Sequence, residues 1–361
     1  MKSNKKKIVF VTFLNDYSGS PNVLSIVIQG LLKRGYKTEI ITNRSEGVLS
    51  NIDNAKDNYV TYRWSKSPLL RSVYFLIAQC QLFFKVFTYK DDNTLFYINT
   101  ITPIGAVWAC KILRKNYIYQ IHENMMQKKT LYILYRWTYR FCNTKSIFVS
   151  HYLREITPYV RNCRVIYNSL SKDFIKQAQT YVDFTPSTGK NILMVASLKV
   201  YKGVYEFVEL AKKMPEYKFV LVLNASEADT EKFKYETVAS NNIEIYSVRK
   251  NLHPFYQNAK LLLQLSHPTL WIETFGLTIL EAMVYGIPAI VPNIGGPAEL
   301  IEDGMNGYTV NPLDSSELFL KVQMLMENEV LYDAFSKAAL TKSKQFKWEL
   351  MINQIEQYLL E

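Results

Sequence analysis

The sequence predicts an α/β protein built from two domains, and three observations carry that reading. At 361 residues the chain is long for a single hydrophobic core. Short apolar runs that suit buried strands alternate with helix-period segments from residue 8 onward. The alternation pauses in a polar stretch after residue 170, marked by Pro186 and Gly189, and restarts at residue 191. Hydrophobic content of 48% with 21% charged residues describes a globular chain and excludes a disordered one.

The first series opens with IVFVTFL (8–14), a buried parallel strand that ends in a polar loop from Asn15 to Pro21. The helix VLSIVIQGLLKRG follows, Gly35 closes it, and KTEIIT begins the next strand. The loop lies at the carboxyl end of the first strand, where open α/β sheets bind ligands. It holds Gly19 but no G-x-G-x-x-G, so a dinucleotide fingerprint is absent. Strands are expected at 94–99 and 117–121, with His122-Glu123 directly after the second. The second series has strands at 191–197, 219–225, 243–247 and 259–266, an insert-like HPTLWI at 267–272 with His267 as a loop residue, and a helical tail over 315–361.

Other classes are excluded on simple grounds. The four cysteines are widely spaced with no C-x-x-C, which argues against a zinc site or disulfide framework and fits a reducing cytoplasm. The basic N-terminus leads into a seven-residue apolar run with no cleavage site, so it reads as a tail before a first strand rather than a signal peptide. Residues 73–88 are apolar but broken by Gln79, Gln81 and Lys85, and too short to cross a bilayer comfortably, so no transmembrane helix is expected.

Chemistry concentrates in residues 271–299, WIETFGLTILEAMVYGIPAIVPNIGGPAE. Glu273 and Glu281 stand eight positions apart with Phe275-Gly276 between them. From Gly276 the residues Leu277, Ile279, Leu280, Met283 and Val284 recur at helical spacing, and Gly286 and Pro288 end that helix. A helix start offers unpaired N–H groups and partial positive charge, and a glycine there lets an anion approach the backbone. The two carboxylates then flank a bound diphosphate, each accepting hydrogen bonds from sugar hydroxyls. The competing reading is an ordinary βα unit with solvated glutamates.

This stretch resembles the E-x7-E signature of the retaining GT-B glycosyltransferases of family 4 (glycosyl transferases group 1), in the form E-x-F-G-x-x-x-x-E-A-M-x-x-G-x-P, and GGPAELIEDGMNGYTV continues the likeness. The resemblance implies two Rossmann-like domains facing each other across a cleft, with a C-terminal helix crossing back to the first. The expected divisions are 1–172 on the acceptor side, 173–345 for the nucleotide-sugar, and 346–361 for the returning helix. It implies catalytic roles for Glu273, His122 and Lys202, and donor contacts from Gly19, Ser197, Lys202, Phe275, Gly276, Leu277, Thr278 and Glu281. Lys202-Gly203 match the end of the family's G-R-L-x-x-x-K-G, but Ser197 stands where the Arg is expected, and Lys199 is the candidate replacement. Gly19 reads equally as a turn glycine, and His122 as a structural residue at a strand end. Ser150 and Asn168 match typical family positions and read as caps or turns.

The implied activity is retaining transfer of a sugar from a nucleotide diphosphate to a glycan or lipid-linked hydroxyl, in bacterial surface-polysaccharide assembly. No D-x-D is present, so the expectation is no metal and no cofactor, with a UDP- or GDP-sugar as co-substrate. The competing functions are a non-catalytic sugar-nucleotide-binding partner of another transferase, and a GT-B epimerase, which lacks the E-x7-E run.

Charge is unevenly spread. Residues 1–170 hold 25 Lys/Arg against 9 Asp/Glu, a balance of +16, whereas residues 171–361 hold 18 against 23, a balance of −5. Segments 58–90 and 124–154 contain no acidic residue. On a helix, Lys129, Tyr132, Arg136 and Arg140 share one face with Trp137 and Tyr139 at its flanks, a pattern suited to peripheral contact with an anionic membrane on its cytoplasmic side. A solvated basic face is the competing reading. No recognition motif accompanies the charge, which argues against nucleic acid.

Overall fold

The computed structural model describes residues 6–50, 52–62, 65–91, 93–124, 131–142, 145–182, 190–237 and 240–361. It divides into one unit of Met1–Asn168 with Glu349–Glu361 and another of Ser169–Trp348. These divisions fall a few residues from the expected 172 and 346. Ser169 Oγ donates to Phe346 O at 2.6 Å, which ties both positions into the second unit. Pro186 and Gly189, expected to mark the linker, lie outside the described residues.

In the first unit the elements are β1 (Lys7–Val11), α1 (Gly19–Lys33), β2 (Lys37–Asn43), β3 (Ala55–Val60), α2 (Pro68–Phe87), β4 (Thr94–Asn99), α3 (Ile104–Ile112), β5 (Asn116–Ile121), α4 (Tyr132–Cys142), β6 (Lys145–Phe148), α5 (His151–Ile156) and β7 (Cys163–Val165). Their parallel sheet has the order β3-β2-β1-β4-β5-β6-β7. Helix α1 starts at Gly19, earlier than expected, with Pro21 inside its first turn. Proline is tolerated there because its missing N–H would have had no helical partner. Right-handed crossovers place α1 on one face of the sheet and α2, α3 and α4 on the other.

The basic face expected on α4 is altered. Lys129 lies outside the described residues. Tyr139 is buried, its hydroxyl donating to Ser146 Oγ at 3.3 Å, so it is no flank of an outer surface. Arg136 instead packs over Tyr132 and Tyr159. Helix α2 is also longer than expected and, by length and composition, is sufficient to cross a membrane.

The second unit runs α6 (Lys172–Val182), β8 (Asn191–Ser197), a 3-10 turn (Val200–Lys202), α7 (Val204–Lys213), β9 (Lys218–Asn224), α8 (Glu227–Thr237), β10 (Ile243–Tyr246), α9 (His253–Gln257), β11 (Ala259–Leu263), α10 (Leu277–Met283), β12 (Ala289–Pro292), α11 (Gly296–Leu300), β13 (Gly307–Val310), α12 (Ser315–Glu327) and α13 (Glu329–Ser343). Its parallel sheet has the order β10-β9-β8-β11-β12-β13 over a core that includes Ile192, Phe207, Phe219, Leu261 and Ile290. Helix α14 (Trp348–Leu360) covers α1 of the first unit, where Arg34 pairs with Glu356 and donates to Ile352 O at 3.4 Å. In the second sheet, β8 and β11 are neighbours whose connections leave in opposite directions. Loops after such a pair form the crevice where open α/β sheets take ligands.

Candidate functional site

Lys202 follows β8 and Glu273 follows β11, so the fold brings both to this switch point. There Lys202 Nζ forms an ion pair with Glu273 Oε2. The two loops are held side by side by backbone and rings: His267 N donates to Tyr201 O at 2.8 Å, and the Tyr201 ring stacks on Trp271 at 5.4 Å. From below, Gly296 N donates to Glu273 O at 2.9 Å. A Cβ on Gly296 would stand 2.1 Å from Thr274 O, so only glycine allows the second loop to approach so closely. Burial by itself would raise the Glu273 pKa. The Lys202 charge and hydrogen bond, with help from Thr274 N, outweigh it and hold the carboxyl below its ordinary value. Glu273 is therefore an anion at neutral pH.

Gly276 takes the left-handed conformation at φ 106° and begins the turn into α10. Phe275 is buried against Phe346, with ring centroids 6.3 Å apart, while Leu277 and Thr278 are half-buried on the first turn. Helix α10 has only seven residues, fewer than the apolar spacing suggested, so its dipole is weak. Glu281 lies one turn further along and is buried. Its Oε2 accepts from Tyr256 OH at 2.5 Å. Tyr256 stacks on Tyr285 at 5.7 Å, and Phe174 lies against His253 at 4.4 Å, which encloses this end of the helix in rings. Burial pushes the Glu281 carboxyl up to about 7, with the Tyr256 hydrogen bond pulling the other way.

Ser197 ends β8, half-buried, and its carbonyl accepts from Lys199 N at 2.8 Å. Lys199 is exposed ahead of the 3-10 turn. Ser197, Lys199 and Lys202 thus share one loop, with the cation that Ser197 lacks available two residues on. Tyr201, Trp271 and Tyr256 carry no signal in the sequence, whereas Gly296 is visible there in the tight turn Gly295-Gly296-Pro297, whose glycines face the Glu273 backbone.

The first unit holds Gly19 and His122. Gly19 is exposed at the start of α1, and its backbone is outside the left-handed region. The loop is instead organised by Asn15, which accepts from Leu49 N at 2.9 Å and donates to Ser45 O at 3.0 Å. His122 is buried, with Nε2 2.9 Å from Asn99 Oδ1, and burial drives its pKa down to about 3. Beside it Thr100 is held at φ 70°, a strained geometry for a β-branched residue, and Glu123 Oε2 accepts from Ile101 N at 3.3 Å. Ser150 caps α5, accepting from Leu153 N. Among the described residues no three His, Cys, Asp or Glu side chains group as metal ligands.

Comparison with known proteins gives consistent relatives. Residues 178–342 match the family model described as glycosyl transferases group 1. A sucrose synthase of Melioribacter roseus is 35% identical over 83 residues, which is 22% of this chain and 10% of that protein. The poly(glycerol-phosphate) alpha-glucosyltransferase of Bacillus subtilis is 29% identical over 182 residues, which is 47% of this chain and 26% of that protein. The chain thus spans only a minor part of the length of either relative. Anabaena Alr3699/HepE, crystallised with UDP and glucose, shares the fold with a TM-score of 0.79 over 99% of this chain and 100% of that one, at 18% identity.

Proposed function

Residues 178–342 are a glycosyl transferases group 1 domain in a chain of GT-B fold, and from that premise we propose a retaining, metal-independent transfer of sugar from a UDP- or GDP-sugar to a hydroxyl of a glycan or lipid-linked acceptor. Cytoplasmic assembly of bacterial surface polysaccharide is the proposed setting. One observation carries the reading: the Lys202–Glu273 pair at the switch point, with buried Glu281 eight residues along. The name of the Bacillus relative and the UDP and glucose bound to the Anabaena protein support it.

In the proposed reaction the bond between the anomeric carbon and the phosphate oxygen breaks, and its electron pair leaves with the diphosphate. The acceptor oxygen bonds to the same face of that carbon, and its proton passes to the departing phosphate oxygen. Lys202 stabilises the charge that grows on the diphosphate, an interaction that strengthens toward the transition state. The short α10 makes this cation, rather than a helix dipole, the main source of positive potential. Glu273 holds donor-sugar hydroxyls and favours the positive character at the anomeric carbon. Glu281 accepts from the ribose hydroxyls. His122, neutral at physiological pH, acts only as a hydrogen-bonding group in the role the resemblance assigns it.

Thermal unfolding with UDP, GDP, dTDP, ADP and CDP tests the reading, with Glu281→Ala as control. A ligand at 100-fold over its Kd adds about 2.7 kcal/mol. Stabilisation of the wild type by one nucleotide, reduced in the variant, supports the assignment. No stabilisation by any of them overturns it, whereas stabilisation without measurable transfer favours the non-catalytic sugar-nucleotide-binding partner.

A further inference from the structure

Helices α2, α3 and α4 form one continuous layer on a single face of the seven-stranded sheet. Gln79 of α2 donates to Thr102 O at 3.0 Å and accepts from Gly105 N at 2.8 Å, which fixes α2 to α3. Trp108 Nε1 of α3 donates to Thr138 Oγ1 of α4 at 3.0 Å. The inner side of the layer is closed by Ala78, Leu82 and Val86 from α2 and by Tyr135 and Tyr139 from α4.

The outer side departs from the usual amphipathic pattern, in which the face turned away from the core is polar. On α2, Leu69 is 74% exposed and Leu76 and Phe84 follow along the same stripe at 60% and 67%. A groove of about 550 Å³ runs along it, lined by Leu76, Ile77, Cys80 and Phe84. On α4, Ile133 is 71% and Trp137 57% exposed. The same helices carry Arg71, Lys111, Arg136 and Arg140 and no carboxylate, while Lys85 turns its ammonium to Asn58 Oδ1. On the opposite face of the sheet α14 packs on α1, where Arg34 meets Ile352 and Glu356.

We propose that this three-helix layer docks on an anionic lipid bilayer, its apolar side chains entering the boundary between headgroups and acyl chains and its cations meeting lipid phosphates. Charge complementarity selects the occupant: cations without carboxylates match anionic headgroups, and an exposed Trp among aliphatic residues suits the interface. A nucleic-acid backbone would leave the Leu and Phe stripe in water. Helix α2 lies on the membrane rather than crossing it, since crossing would abandon its packing on the sheet and strand Gln79. The proposal is independent of the nucleotide-sugar reading.

The test is sedimentation of the full chain with phosphatidylcholine vesicles, with and without phosphatidylglycerol, at moderate salt. The wild type is expected to partition onto the anionic vesicles. Leu76→Glu with Phe84→Glu should lower that partition by about 100-fold. Arg71→Gln, Lys111→Gln and Arg140→Gln together should also lower it by roughly 100-fold while leaving binding to neutral vesicles unchanged. All five positions are exposed, so Tm should be retained; if the glutamate variant does not fold, the glutamine variant decides. Equal binding to anionic and neutral vesicles, or undiminished binding in the variants, overturns the proposal. So does dimerisation through this layer, lost in Phe84→Glu, in a protein that does not bind vesicles.

Discussion

Glu273 lies on a loop, about a fifth exposed, with Lys202 on one oxygen and Thr274 N on the other. Glu281, eight residues on, lies buried in α10 with Tyr256 on one oxygen and no cation paired to it among the described residues. Burial acts in the same direction on both, raising the pKa. Only at Glu273 does a neighbouring charge reverse it. Spacing along the chain therefore supplies two carboxylates, but the loops packed around each decide which is an anion at neutral pH. Glu273 is suited to hold hydroxyls beside developing positive charge. Glu281 is suited to a neutral diol, and it titrates near the working pH.

The contrast can be broken most severely at its cation. Lys202→Ala should lower kcat by about 10²–10³-fold, the usual cost of losing one donor to developing negative charge. It should also shift the acidic limb of the kcat–pH profile upward, because burial of Glu273 is then opposed only by the Thr274 hydrogen bond. Turnover at the wild-type rate would rule out the leaving-group role. Gly296→Ala should follow. Its Cβ would force the Glu273 loop away from a 2.1 Å contact, and a displacement on that scale costs roughly 100-fold in turnover. Steady-state kinetics beside a thermal melt separates this from simple unfolding.

Glu281→Gln is the mildest change and sharpens the comparison. It should weaken nucleotide binding by about tenfold with a smaller effect on kcat. It should also alter the dependence of stability on pH. With a folded pKa of about 7, Glu281 holds its proton more tightly in the folded state than in the unfolded one. Its stabilising contribution is complete below the unfolded value and declines as pH rises from about 4.5 to 7, by up to about 3 kcal/mol. Glu273 acts in the opposite sense: its contribution is present above the unfolded value and is lost as pH falls through its lowered folded pKa. Urea melts from pH 5 to 8 should therefore show a decline in the wild type that the Gln variant lacks. Parallel curves would contradict the assignment of the titrating group.

Much of this was legible in sequence, for identifiable reasons. Strands Thr94–Asn99 and Asn191–Ser197 have their expected boundaries, because a buried parallel strand is an uninterrupted apolar run between polar turns. Strand β3 was missed because Ala55–Val60 lies at a sheet edge and is largely polar. In α2, Gln79 looked like an interruption of an apolar segment, yet it points inward to the α3 backbone and leaves the outer stripe uninterrupted. At the site, Glu273, Gly276 and Glu281 were visible because their relation is local. The Lys202–Glu273 pair, the Tyr201–Trp271 stack and the Tyr256 hydroxyl on Glu281 depend on which strands become neighbours, and that is a property of topology rather than spacing.

The most direct measurement is isothermal titration of the best-stabilising nucleoside diphosphate at neutral pH, in two buffers of different ionisation enthalpy. Ribose hydroxyls donating to Glu281 should favour its ionised form, so binding should release a fraction of a proton, and the apparent enthalpy should depend on the buffer. That dependence should disappear in Glu281→Gln, and affinity should fall in Lys202→Ala. Wild-type binding without proton release, or undiminished affinity when both residues are replaced, would mean that the nucleotide does not occupy the switch point of the second unit.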